Sequence, residues 1–172
     1  MKRFAVVFAL LAGCVVVNAS DLRSEIEAMN KVVQSAFLKR DIGAFEKAVK
    51  SRVTKDFKYS EEGKSMSFDQ MVALMKQSFA MSSKVTKADS KIMSLKEKGN
   101  SGTCTTSHDM VMVMVDEKKK THTMGFAGTS TETFVKEKGK WLMSSMTWGE
   151  QKMTMDGKPY PAAPAAGAKK GG

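Results

Sequence analysis

Hydrophobic spacing divides the chain into a helical first part and a strand-rich second part. Apolar residues that recur at three- and four-residue intervals predict three helices, over Leu22–Lys39, Ile42–Ser51 and Ser67–Met81. Short alternating segments around the glycine at position 63 predict a small hairpin, formed by Phe57–Tyr59 and Lys64–Met66. The first part of the chain is therefore mainly helical.

The second part alternates apolar and polar residues over long stretches. This alternation predicts four strands, over Lys84–Lys98, Gly102–Asp116, Thr121–Glu137 and Lys140–Thr154. The connections between them are short, which favours sequential antiparallel pairing. The expected fold class is α+β: three N-terminal helices packed in a strongly curved, mostly antiparallel sheet that forms a cone, with a small hairpin and four long strands.

The N-terminal residues resemble an export signal. Lys2 and Arg3 precede the apolar stretch from Phe4 to Val17, and the small residue Ala19 suits a signal peptidase. The expected organisation is a signal peptide over 1–19, a cone domain over 20–156 and a disordered tail over 157–172. The protein is thus expected to be exported, to the periplasm or beyond. A lipobox ending at Cys14 is the alternative, and only lipidation there would attach the protein to a membrane.

Charge and cysteine content narrow the classes of function. The formal net charge is +10, and removal of Lys2 and Arg3 leaves +8. The lysines are scattered and arginine is rare, which favours a solvated surface over a nucleic-acid interface. Cys104 is the one cysteine after position 19, and we expect a small buried side chain there rather than a reactive thiol. No phosphate loop, paired-cysteine metal motif or serine nucleophile motif occurs, so no cofactor is expected.

The order of elements resembles the nuclear transport factor 2-like superfamily, in its SnoaL-like or ketosteroid-isomerase-like branch. The resemblance covers about residues 22–154, with local marks in 57–63 (FKYSEEG) and 139–142 (GKWL). It implies a cone with a pocket and a homodimer that pairs through the sheet. It also implies an aspartate base three residues before the turn glycine, where this chain has Ser60 followed by Glu61, and a tyrosine on the first helix, which has none.

Two sets of residues are candidates for chemistry. His108, Met110 and Met112 share one face of a strand and would suit Cu(I), whereas the alternative is that the methionines simply pack. His108 and His122, or one of them with Glu61, could serve as a general base in a lyase or isomerase. Asp109 is expected on the face opposite His108.

Aromatic side chains are the expected lining of the pocket. The candidates are Tyr59, Phe126, Trp141 and Trp148. Trp141 and Trp148 are seven residues apart, so they would face opposite ways in an unbroken strand. The sequence predicts an exported domain that binds a small apolar or amphipathic ligand without evident catalytic machinery. A His-dependent lyase or isomerase and a structural module of the cell envelope are the alternatives.

Overall fold

The computed structural model describes residues 21–160. The predicted signal peptide, the lipobox at Cys14 and most of the predicted tail lie outside the described residues. Among residues 21–160, no helix is both long and apolar enough to cross a bilayer.

Three helices form one layer of the domain: α1 (Leu22–Lys39), α2 (Ile42–Lys50) and α3 (Phe68–Met81). The N-termini are capped by the side chains of Asp21, Asp41 and Ser67, respectively. Each of these side chains accepts a hydrogen bond from a backbone N–H in the first turn of its helix. Ser67 and Gln70 form a reciprocal capping box, which fixes where α3 begins. The helical boundaries predicted from hydrophobic spacing agree with these to within one residue.

Seven strands form one sheet. They are β1 (Val53–Glu61), β2 (Lys64–Met66), β3 (Ser82–Lys98), β4 (Ser101–Val115), β5 (Thr121–Glu137), β6 (Lys140–Met155) and β7 (Lys158–Pro159). The last strand pairs with β6, so regular structure reaches Pro159, three residues beyond the predicted domain boundary.

The strand order is β2-β1-β6-β5-β4-β3. All pairings are antiparallel except β1 with β6, which run parallel. The pairing is interrupted by bulges, two of them within the β5–β6 pair, and a bulge bends a strand and increases its twist. The result is a curved, open sheet packed against the three helices, which confirms the predicted fold class.

The core lies between the helices and the concave face of the sheet. Leu22 and Ile26 of α1 and Phe45 of α2 pack there with side chains of β1, β4, β5 and β6. Along β4, Cys104 and Thr106 are buried while Thr103 is exposed, as strand alternation requires. Cys104 is completely buried, which confirms the prediction for this residue. Burial raises the pKa of its thiol, so it is a poor nucleophile.

Candidate functional site

A cavity of about 630 Å³ lies between the concave face of the sheet and the helices. Methionine is its most frequent lining residue. The contributors are Met29, Met66, Met71, Met75, Met81, Met110, Met112, Met114, Met124, Met143, Met146 and Met153. Twelve of the fifteen methionines in the chain therefore meet at one cavity, although the sequence distributes them over six elements. Flexible thioether side chains form an apolar wall that adapts to ligands of different shape.

A chain of hydrogen bonds crosses β3, β4 and β5 in one wall of the cavity. His108 Nε2 lies 2.7 Å from Ser130 Oγ, and the Ser130 hydroxyl donates to Glu132. Because a serine has a single hydroxyl hydrogen, Nε2 of His108 is the donor to Ser130. Glu132 also accepts from Thr106 at 2.9 Å. The neutral imidazole then presents Nδ1 as an acceptor, 3.0 Å from Ser90 Oγ.

Glu132 is a buried carboxylate, with 5% of its surface exposed. Its carboxylate lies 3.9 Å from His108 Nε2, too far for a direct hydrogen bond. Ser130 bridges this gap. The arrangement orients the imidazole and satisfies both oxygens of a carboxylate that would otherwise be costly to bury.

A second polar group lies on β1 and β6. The Tyr59 hydroxyl donates to Glu61 at 2.9 Å, and Gln151 Nε2 donates to the other oxygen of Glu61 at 2.9 Å. Burial raises the pKa of Tyr59 well above its usual value, and the negative charge of Glu61 raises it further. Tyr59 therefore remains a neutral hydrogen-bond donor at physiological pH.

Trp148 lies between the two polar groups. Its ring centroid is 4.8 Å from that of His108 and 5.2 Å from that of Phe126, which meets it edge-on. Its indole lies near the Tyr59 hydroxyl and lowers the pKa of that group, against the larger effects of burial and Glu61. Trp148 Nε1 is buried with no hydrogen-bond partner among residues 21–160.

A bulge in β6 places both tryptophans on the concave side of the sheet, although only one of them lines the cavity. Thr133 pairs with Ser145 but the adjacent Phe134 pairs with Met143, so Ser144 is an extra residue in β6. This bulge restores the parity between Trp141 and Trp148, and both face the concave side. Trp141 does not line the main cavity, which corrects the prediction. It is 5% exposed and packs near α1, beside a void of about 10 Å³.

The two histidines do not converge. His108 pairs with Gly128 on β5, and His122 lies six residues further along that strand, about 20 Å away. His122 is held instead by Asp156 at 2.8 Å and Asp116 at 3.4 Å. A His108/His122 catalytic pair is therefore wrong: strand register places one histidine in the cavity wall and the other at the hairpin end.

The remaining predicted residues are placed as follows. Tyr59, Phe126, Glu61 and Trp148 line the cavity, as do the proposed copper ligands His108, Met110 and Met112. Asp109 is exposed and forms an ion pair with Lys87. Within residues 21–160, no cluster of three or more His, Cys, Asp or Glu side chains is arranged to hold a metal ion.

Sequence reasoning missed Ser130, Glu132 and Thr106. The signal was present in β5, where an acidic residue occupies a position in phase with buried Phe134 and out of phase with the threonines at 129, 131 and 133. A charged residue on the apolar side of an alternating strand indicates a buried polar network.

Comparisons with known proteins agree on the fold. A putative scytalone dehydratase from Novosphingobium aromaticivorans has a TM-score of 0.61 at 12% identity, over 86% of this chain and 95% of that one. A hexachlorocyclohexane dehydrochlorinase has a TM-score of 0.59 at 16% identity, over 87% and 94%. An NTF2-like protein of unknown function from Prochlorococcus has a TM-score of 0.57 at 15% identity, over 76% and 94%.

The chain has the nuclear transport factor 2-like fold. No family model matches the sequence, and no curated protein matches it. Nuclear transport factor 2-like structures similar to this chain include named enzymes and a protein of unknown function. The similarity therefore establishes the fold, while the function has to be argued from the side chains in the cavity.

Proposed function

We propose that this domain binds a small, mainly apolar molecule in the methionine-lined cavity. The observation that carries the proposal is the convergence of twelve methionines on one space of about 630 Å³. A cavity of this size falls in the range of small-molecule sites, which are largely apolar with a few placed polar groups. Here Tyr59, Glu61 and His108 supply the polar groups.

Binding can be tested with Nile red, a neutral dye whose emission increases in apolar surroundings. The wild-type protein is expected to bind it saturably. Met124→Trp places a bulky ring in the cavity and should weaken binding on the order of tenfold. Met93→Trp is the matched control, because Met93 lies on β3 with 61% of its surface exposed and does not line the cavity. Equal affinity of both variants, with native circular dichroism, would overturn the proposal.

A second candidate is a lyase or isomerase in which His108 is the general base. It is favoured by the His108–Ser130–Glu132 chain, which leaves Nδ1 as the basic atom of a neutral imidazole. In this reaction Nδ1 removes a proton from carbon next to a carbonyl, and the Tyr59 hydroxyl exchanges its hydrogen bond to Glu61 for one to the developing oxyanion.

Proton exchange tests this candidate without knowledge of the substrate. Small apolar cyclic ketones incubated with the protein in D₂O should gain deuterium at the α-carbon faster than in buffer. His108→Gln should abolish the acceleration, and His122→Gln, at the hairpin end, should retain it. No acceleration by the wild-type protein would leave binding as the sole proposal.

The location of the protein is a separate proposal, which rests on residues 1–19. We propose that the mature chain begins at Ser20 and acts outside the cytoplasm. Intact-mass measurement of the protein recovered from cell fractions checks this. A mass beginning at Ser20 supports export of a free domain, whereas an acylated Cys14 indicates a membrane-attached lipoprotein.

A further inference from the structure

The charge of the cavity is opposite to that of the chain. The formal net charge of the protein is +10. Its cavity is lined by five carboxylates and a single lysine, namely Glu61, Glu62, Asp89, Asp109, Glu132 and Lys64. Acidic side chains around the cavity attract cations to it, although the net positive charge of the whole protein repels them.

Four of the five carboxylates differ in how their charges are compensated, and the fifth, Glu62, is exposed in the turn between β1 and β2. Asp89 and Asp109, at the exposed edge of the cavity, share Lys87. Glu132 lies near His108 and is buried behind it. Glu61 is different, because both of its hydrogen-bond donors, Tyr59 and Gln151, are uncharged. None of the ion pairs found among residues 21–160 involves Glu61, although Lys64 lies opposite it on β2.

Aromatic rings lie beside this carboxylate. Tyr59 is its hydrogen-bond donor, and the indole of Trp148 lies close to the Tyr59 hydroxyl. Phe126 meets Trp148 edge-on at 5.2 Å. The faces of aromatic rings attract ammonium groups, most strongly in tryptophan. A carboxylate that forms no ion pair, next to an indole, is a suitable environment for an organic cation.

The rest of the cavity is apolar and adaptable. Methionines of β4, β5 and β6 continue the wall away from the polar group, at Met110, Met112, Met124 and Met153. They offer contacts to an apolar chain or ring but no charge for a second polar end. The ligand that matches both regions has one cationic group and an apolar body.

We propose that the cavity takes lipophilic amines in their ammonium form, with the ammonium group beside Glu61 and Trp148 and the apolar body along the methionines. This inference rests on the proposed ligand-binding function and names its ligand class. It needs no covalent step, because the ammonium is held by charge, hydrogen bonding and the aromatic faces.

Three probes with the same ten-carbon chain test the inference: decylammonium, decan-1-ol and decanoate. Each is titrated calorimetrically at pH 7, the two ions below their micelle concentrations and decan-1-ol below its solubility limit. Decylammonium is expected to bind about tenfold more tightly than decan-1-ol, and decanoate most weakly. The net positive charge of the protein favours the opposite order, so surface attraction cannot produce this result.

Substitution of the carboxylate shows where the preference arises. Glu61→Gln is expected to bring the affinity for decylammonium close to that for decan-1-ol. Glu150→Gln is the matched control, because Glu150 lies on the same strand as Gln151 with its side chain 80% exposed. The Glu150→Gln variant should still bind decylammonium about tenfold more tightly than decan-1-ol.

The outcomes separate the inference from the proposed function. Equal binding of decylammonium and decan-1-ol by the wild-type protein would overturn the inference while leaving an apolar binding site. An unchanged ratio in Glu61→Gln would likewise overturn the role of this carboxylate. If neither the three probes nor Nile red bound to the wild-type protein, the proposed function itself would be overturned. The wild-type series decides the ligand class even if Glu61→Gln does not fold.

Discussion

The ring centroids of His108 and Trp148 are 4.8 Å apart in the cavity wall. This contact joins the polar chain on β4 and β5 to the Tyr59–Glu61 pair on β1, through one indole. A molecule that enters the cavity therefore alters the surroundings of Trp148 directly.

Trp148 is expected to report ligand binding by fluorescence. An apolar, non-fluorescent ligand such as decylammonium should change the emission of the wild-type protein, because it displaces water from the indole. The change should persist in Trp141→Phe, since Trp141 lies in the core outside the main cavity. It should disappear in Trp148→Phe. A signal that followed Trp141 instead would contradict the position assigned to the ligand.

Ser130 is expected to contribute to stability through its two hydrogen bonds. Ser130→Ala leaves Glu132 and His108 without their bridging hydroxyl in a buried setting. The free energy of unfolding should fall by about 1–3 kcal/mol, the cost of burying polar groups without partners. Urea denaturation measures it.

The control for Ser130→Ala is Thr121→Ala. Thr121 lies at the beginning of the same strand, at the exposed hairpin end. Its substitution should change the unfolding free energy by no more than about 0.5 kcal/mol. Equal effects of the two substitutions would contradict a buried bridging role for Ser130.

The His122 contacts predict a dependence of stability on pH. The Asp156 hydrogen bond, followed by that to Asp116, raises the pKa of His122 above its usual 6.5, with Lys120 acting in the opposite direction. Because the pKa is raised, protonated His122 stabilises the folded state. This stabilisation is complete below about pH 6.5 and is lost as the pH rises through the folded-state pKa of His122. The pKa values of Asp116 and Asp156 are lowered, by the Lys120 backbone and by His122 respectively. Their contribution is present above about pH 3.8 and is lost as the pH falls through their folded-state values.

Urea midpoints measured from about pH 4 to 9 check this prediction. The wild-type midpoint should decline above neutrality, and His122→Gln should show a flatter profile in that range. Asp69→Asn, an exposed carboxylate on α3, should reproduce the wild-type profile. A decline of the same size in His122→Gln would assign the pH dependence to other groups.

The thiol of Cys104 is expected to be inert in the folded protein. It is completely buried, its Sγ lies 3.5 Å from Thr106 Oγ1, and burial raises its pKa. A disulfide exchange reagent should react slowly in buffer and promptly in urea. Reaction in buffer at the rate of a free thiol would show that the strand opens locally.

The convex face of the sheet is the expected dimer interface. Thr105 and Thr131 are opposite one another on β4 and β5 and lie in the polar rows of that face. Light scattering should give twice the chain mass for the wild-type protein. Thr131→Arg should give a monomer, and Thr121→Arg, at the exposed hairpin end, should remain a dimer. A wild-type monomer would contradict the prediction.

Sequence pattern alone determined the elements of this protein to within a few residues. Helices and long strands differ in the period of their apolar positions, and capping residues such as Ser67 mark where a helix begins. These signals act over neighbouring residues, so they are readable without a structure. The curved α+β class followed from the order of the elements.

Tertiary structure decided which side chains meet. The bulge at Ser144 turned Trp141 and Trp148 to the same face, and cross-strand register separated His108 from His122 while it joined His108 to Ser130. A shift of one residue reverses the facing of a strand, and such shifts depend on the whole sheet rather than on local sequence. The methionines likewise became a cavity wall only when six separate elements packed around one space.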